Sequence, residues 1–398
     1  MTEGGKNKIC DDSFFSVPYS QVAILVGDNA PVSSQGESVS LSGDGNTVAI
    51  GEGAANGGVY VFVNDNGMWV QQGGKLIGKD ISSSALGGFS VCISFDGNYL
   101  VMGAPLDVEN GVNVGAAVVF HRDQNGIWTQ MGSKLVGSGS VGTARQGISV
   151  AISQNATIIA VGGQLDDNSN GAVWMFERSG DVWLQNGAKL IGSNGFRSFQ
   201  GKSVALSADG NTLVEGGIDD ENSRGAVWTF QKKGSEWRQQ GGKLFSVDAV
   251  GGSEQGYSVS LDYSGNVLAV GAPGLRNVGS VFIYERDNCK LEWNLVGNKI
   301  IGKNSLRYAR LGQDVSLSSD GSLLAVGASS YDDSGTTLVF ERKECVYVPI
   351  QKITGSGSVK DQHQGRSVSL SANGKTLAIG GPATSSGNGK TWIFKKLN

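Results

Sequence analysis

Gly256-Tyr257-Ser258-Val259-Ser260-Leu261-Asp262-Tyr263-Ser264-Gly265-Asn266-Val267-Leu268-Ala269-Val270-Gly271-Ala272-Pro273, followed by Ser280-Val281-Phe282-Ile283-Tyr284 and by Trp293 to Gly302, holds four apolar runs of strand length. Tyr257 to Leu261 alternates large and small residues, Val267 to Val270 is almost continuously apolar, Ser280 to Tyr284 alternates again, and Trp293 to Ile301 closes the unit. The links, Tyr263 to Asn266, Pro273 to Gly279 and Arg286-Asp287-Asn288, are rich in residues that bend a chain. The unit predicts a four-stranded antiparallel meander.

The unit recurs. Its opening glycine falls at Gly36, Gly88, Gly147, Gly201, Gly256, Gly312 and Gly365, in steps of 52 to 59 residues. Strands apolar on both faces must be covered on both sides, and copies arranged in a ring provide that cover. The expected fold is therefore all-β, a seven-bladed β-propeller of four-stranded antiparallel blades. The last unit ends on a third strand at Trp392-Ile393-Phe394, while Gln21 to Gly27 looks like a fourth strand without a unit of its own. The strand over 20–27 is expected to complete blade seven and remove the open sheet edge. Residues 1–16 read as a loose arm and 17–398 as one propeller domain.

Bulk composition narrows the function. The 398 residues include 62 glycines, only 17% are charged, and the net charge is −4. Such a chain lacks the basic footprint that nucleic acid requires. The polar start lacks a signal-peptide core and no run is long enough to span a membrane. A soluble monomer is expected, cytoplasmic or virion-associated. Cys10, Cys92, Cys289 and Cys345 match neither a zinc spacing nor a dense disulfide framework.

The pattern Gly-x-Ser-Val, Asp-Gly-Asn-x-Leu-Ala-Val-Gly-Ala-Pro, an acidic loop, Gly-x-Val-x-x-Phe and Trp-x-Gln-x-Gly resembles the FG-GAP-like repeats of integrin-α-type seven-bladed propellers. It is closest to the degenerate microbial and large-virus form. In that family the first hairpin loop often holds calcium through several carboxylates. Here it has shrunk to Asp44-Gly45, Asp96-Gly97, Asp209-Gly210, Ser264-Gly265, Asp320-Gly321 and Asn373-Gly374. One carboxylate cannot supply six to eight oxygens, so no cofactor is expected; calcium on the longer acidic loops is the disfavoured alternative.

The long second-to-third and fourth-to-first loops share one face, where binding is expected. Candidate residues there are Arg145, Arg197, Arg307, Arg310 and Arg366, with Asp166, Asp167, Asp219, Asp220, Asp332 and Asp333, and Tyr331 as the best loop aromatic. Either the arginines and aspartates stitch blade to blade, or some arginines stay free for an acidic partner or anionic ligand. His121 and His363 lie in different units, so no histidine-based catalytic group is visible. The leading expectation is a non-catalytic scaffold that binds a protein partner. A carbohydrate-binding lectin is the alternative, and a carboxylate-based hydrolase the third.

Overall fold

A computed structural model describes residues 18–28, 34–275, 278–287, 292–301, 308–383 and 388–396. The arm over 1–16, Arg307 and Cys289 lie outside them, as does the side chain of Asp333. Seven antiparallel sheets are built from consecutive strands, innermost strand first, as a seven-bladed β-propeller. In blade five the strands Ser258–Leu261, Val267–Ala272, Ser280–Asp287 and Glu292–Leu295 pair in that order.

Closure follows the expectation with a shifted boundary. The strand Tyr19–Leu25 pairs with Lys390–Lys396 of blade seven, with a bulge between Gln21 and Ala23. It therefore starts one residue earlier and ends two residues sooner than the sequence suggests. The backbone N–H of Gly27 leaves the ladder and donates to the Gln35 side chain at 2.8 Å.

The continuous fourth strand expected over 293–301 is broken. Glu292–Leu295 is followed by a separate pair, Ile300–Ile301, bonded back to Val281 and Ser280. Other blades shorten that second piece to one bridge, as at Val173 to Leu190. The left-handed glycine of the Gln-x-Gly segment, such as Gly187 at φ 74°, turns the chain out of register. Blade six has no such glycine, and its outer strand Val346–Ile353 runs on, with only an irregularity near Phe340.

Two glycines set how closely blades approach. Gly256 has φ 90°, and a methyl on it would lie 2.5 Å from the Ala226 carbonyl oxygen; one on Gly216 would lie 2.0 Å from that of Gly256. Side chains too large for this contact would push the inner strands away from the axis. Between blades the core is continuous: Ala151, Ile158 and Met175 of blade three pack on Leu213, Trp228 and Phe230 of blade four. Inner-strand serines complete the seam. The Ser203 hydroxyl donates to the Gly256 carbonyl at 2.8 Å, and Ser258 to that of Gly312 at 3.0 Å.

One core position breaks the pattern. Glu215 stands in the second strand of blade four where blade three has Val161, is fully buried, and its carboxyl oxygens have no hydrogen-bond partner. Burial raises its pKa well above the ordinary range. A raised carboxyl pKa means that the folded state holds the proton more tightly, so stability falls as pH climbs above the unfolded value. Glu215→Val is expected to raise stability at pH 8 by about 1–3 kcal/mol and to show little gain at pH 4. Urea melts at both pH values measure this.

Candidate functional site

Every blade reaches the axis through the same turn. The residue after the opening glycine bonds back three positions: Tyr257 N–H to Glu254 O at 3.1 Å, Gln313 to Arg310 at 3.0 Å, Arg366 to His363 at 3.0 Å. Leu86, Arg145, Phe199, Glu254, Arg310 and His363 all occupy the left-handed region at this turn, with φ between 53° and 58°. The strain of a non-glycine residue there costs about 1 kcal/mol or more and is typical of functional loops. The turn is constant, and its two variable side chains form two tiers around the axis.

The inner tier is Glu37, Phe89, Ile148, Lys202, Tyr257, Gln313 and Arg366. These residues line an axial chamber of about 180 Å³. A lateral chamber of about 440 Å³, bordered by Arg310, Ser329, Ser330 and His363, shares Glu37, Tyr257, Gln313 and Arg366 with it. At the opposite end of the axis the rings of Phe95 and Tyr263 meet edge to face, 6.5 Å apart. A belt of interblade backbone bonds surrounds them, including Tyr263 N–H to Ser319 O and Ser319 N–H to Ala372 O, both 2.9 Å.

The polar side of the mouth is one network. Arg366 donates from Nε to Glu37 at 3.0 Å and from Nη1 to the Tyr257 hydroxyl at 3.3 Å. Gln313 Nε2 donates to the same hydroxyl at 3.0 Å. Arg310 Nε donates to Gln313 at 3.0 Å, and its Nη2 reaches Glu254 at 3.2 Å. The Lys202 ammonium lies 4.6 Å from the centroid of the Tyr257 ring, and no carboxylate contacts it among the described residues.

Two titratable groups in the lining of the axial chamber, Tyr257 and Asp314, have pKa values displaced toward pH 7. Burial pushes the Tyr257 phenol up, but the charges of Lys202 and Arg366 and the hydrogen bonds from Arg366 and Gln313 outweigh it, leaving a pKa of about 8. Asp314 occupies the position where the other blades have a serine. It accepts from Val368 N–H at 2.7 Å and Val315 N–H at 2.9 Å. Enclosure raises its pKa to about 6 in spite of those bonds and the charge of Arg366. Asp314 is part-buried and lines the axial chamber. Tyr257 and Asp314 thus line one chamber with pKa values displaced in opposite directions toward pH 7.

The structure divides the residues singled out from sequence. Arg366 and Arg310 stand at the mouth, in the inner and upper tiers. Arg145 is also in the upper tier, on blade three. Arg197, Asp219 and Asp220 line a separate groove of about 860 Å³ beside the exposed Phe196. Asp166 and Asp220 are buried and paired with Lys189 and Lys243, which follow the fourth strands of their own blades, not with arginines. Asp107 and Glu52 pair likewise with Lys134 at 2.7 Å and Lys75 at 3.0 Å. Asp167 accepts from Asn170 at 3.1 Å, Asp219 accepts from Ser223, and Asp332 is exposed. Tyr331 is capped by Lys352, whose Nζ donates to its hydroxyl at 2.7 Å and sits 4.0 Å from its ring centroid. Blade-to-blade stitching does occur, through Arg366 to Glu37 and Arg310 to Glu254. Among the described residues no group of three His, Cys, Asp or Glu side chains is placed to hold a metal ion, and no helix is long and apolar enough to cross a membrane.

Glu37, Lys202, Tyr257, Gln313 and Asp314 were not singled out by sequence. The available signal was Gly312-Gln313-Asp314, the one departure from Gly-x-Ser among the seven units.

No protein-family model and no curated protein matches the sequence. Solved structures with the same fold include a Bacteroides uniformis protein assigned as a 6-phosphogluconolactonase, 13% identical with a TM-score of 0.57, covering 81% of this chain and 87% of that one. The periplasmic gluconolactonase of Pseudomonas aeruginosa is 16% identical with a TM-score of 0.56, covering 89% and 96%. U3-55K is 12% identical with a TM-score of 0.56, covering 94% and 98%. At these identities the likeness is one of fold.

These neighbours correct the leading functional expectation. A non-catalytic scaffold binding a protein partner was inferred from the lack of a histidine-based constellation, yet gluconolactonases are among the proteins built on this propeller. The titratable groups with displaced pKa values in the axial chamber are not histidines but a phenol and a carboxyl on the inner strands and their turns.

Proposed function

We propose that the chain is a hydrolase of carboxylic esters, of the lactone class, working at the axial mouth. The observation that carries this reading is that Tyr257 and Asp314 line the same chamber, with Arg366 bonded to the Tyr257 hydroxyl and Lys202 beside its ring. The fold shared with gluconolactonases supports the reaction class. The FG-GAP-like repeat pattern belongs to the same reading as the origin of the scaffold.

In this mechanism the ionised Asp314 takes a proton from water as the water oxygen attacks the carbonyl carbon. The tetrahedral oxyanion is held by the Lys202 ammonium, which has no carboxylate partner among the described residues to give up. The carbon–oxygen ester bond then breaks, and Tyr257 gives its hydroxyl proton to the leaving alkoxide. Gln313 and Arg366 both donate to the phenolic oxygen, so they stabilise the phenolate left behind and point the O–H away from themselves. Water returns the proton to Tyr257, Asp314 releases its own, and one water has been consumed.

Acid release from δ-valerolactone at pH 7, followed by pH-stat, tests this. The full-length protein is expected to accelerate it, with Tyr257→Phe lowering kcat/KM by about 10²-fold or more. A Tyr257→Phe variant as active as the parent would remove Tyr257 from the reaction, and no acceleration by the parent protein would remove the reaction class.

A further inference from the structure

The inner tier is chemically two-sided. Lys202, Tyr257, Gln313, Arg366 and Glu37 follow one another on blades four to seven and one; Phe89 and Ile148 fill the remaining arc, on blades two and three. Val150, Val204 and Val259 continue the lining of the same chamber. The hydroxyls nearest that arc have their hydrogens committed across the seam: Ser90 donates to Gly147 O at 2.9 Å and Ser149 to Gly201 O at 2.8 Å, which leaves them only as acceptors. In the upper tier Leu86 stands over Phe89 and Arg145 over Ile148, so the apolar surface of the arc is that of the inner tier.

This wall discriminates among esters. A polyhydroxylated ring pressed against Phe89 and Ile148 would leave the hydroxyls on that side without partners. A hydrocarbon substituent would instead gain about 0.8 kcal/mol for each buried methylene, nearly fourfold in affinity. The chamber, about 180 Å³, is roughly six water volumes, enough for the reacting carbonyl and a short chain.

We infer that the substrate is a lactone or ester bearing a short alkyl substituent, with the carbonyl on the Lys202–Tyr257–Asp314 side and the substituent against Phe89 and Ile148. This rests on the hydrolase reading for the bond that breaks, but not for the chemistry of the wall. It sets the chain apart from enzymes acting on sugar lactones, because the specificity is written by two apolar side chains at positions occupied elsewhere in the ring by polar ones. Phe89 and Ile148 are specificity residues that touch the substituent and take no part in proton transfer.

The experiment compares kcat/KM of the full-length protein for δ-nonalactone, δ-valerolactone and δ-gluconolactone. The alkyl-substituted ring is expected to exceed each of the others by at least tenfold, and Phe89→Gln and Ile148→Asn are each expected to reduce that ratio by about tenfold. A preference for δ-gluconolactone, or a ratio untouched by both variants, overturns the inference. If no lactone is hydrolysed, the reaction class fails by itself, and the wall is tested by binding. Octanoate should then raise the melting temperature while gluconate does not; equal effects, or none from octanoate, overturn the substrate class as well.

Discussion

The pH profile of kcat/KM for lactone hydrolysis is expected to be a bell, with an acid limb near pH 6 set by Asp314 and an alkaline limb near pH 8 set by Tyr257. The signs are opposed because the two groups are needed in opposite states. Asp314 must have lost its proton to accept one from water, so activity rises as pH passes through its raised pKa. Tyr257 must still carry its proton to give it to the leaving oxygen, so activity falls as pH passes through its lowered pKa. Asp314→Asn should remove the acid limb and lower the plateau by about 10² to 10⁴-fold; Tyr257→Phe should remove the alkaline limb. A rate that climbs with pH throughout, as attack by free hydroxide does, would sink the assignment.

Asp314 also tests whether the site was built at the expense of the fold. In the folded protein its pKa lies near 6, above the ordinary carboxyl value, so the folded state loses stability as pH rises from about 4 to 6 and stays penalised beyond. A serine at 314 would carry no such penalty, and its hydroxyl would find the seam already used by Ser258, which donates to the Gly312 carbonyl of the next blade at 3.0 Å. Asp314→Ser should thus be inactive and yet more stable at pH 8 by about 1–3 kcal/mol, with the gap closing below pH 4. Loss of stability at pH 8 would mean that the carboxylate bonds to Val315 and Val368 matter more than its enclosure.

The fold was legible because a ring repeats its physics seven times. One unit with turns at fixed offsets predicts the sheet, and the unpaired strand near residue 20 predicts the closure. The site was hidden by the same regularity. Residues such as Tyr257 and Arg366 occupy the variable x of Gly-x-Ser, and their meeting at the axis follows only from closure of the ring. Loops drew attention because they were long and charged, but Asp166 and Asp220 serve their own blades: the lysine following each fourth strand reaches back to them. Asp314 was the exception that could have been read. A carboxylate replacing a serine in an inner strand cannot donate to the next blade's carbonyl, so some other requirement has to hold it there.

Removal of residues 1–27 is expected to open blade seven and cause aggregation. The strand Tyr19–Leu25 covers the outer edge of Lys390–Lys396, and without it that edge presents unpaired N–H and C=O groups to solvent. Two buried side chains go with it. Tyr19 and Leu25 are 3% and 4% exposed, each worth about 1.5–3 kcal/mol of apolar burial. Tyr19 also donates its hydroxyl to the Gly374 carbonyl. Its backbone N–H and C=O bond the Gln351 side chain at 2.6 and 3.0 Å, which ties blade seven to the outer strand of blade six. The sum is comparable to the whole stability of an ordinary domain, so partial melting of one blade is not the expected result; the ring opens and aggregates through the exposed edge. Size-exclusion chromatography of the truncated chain reads this directly, and a peptide spanning 18–28 added during refolding should restore the monomer peak. A truncated protein that elutes as a monomer and melts at the parent's temperature would show that the seam between blades seven and one holds without its closing strand.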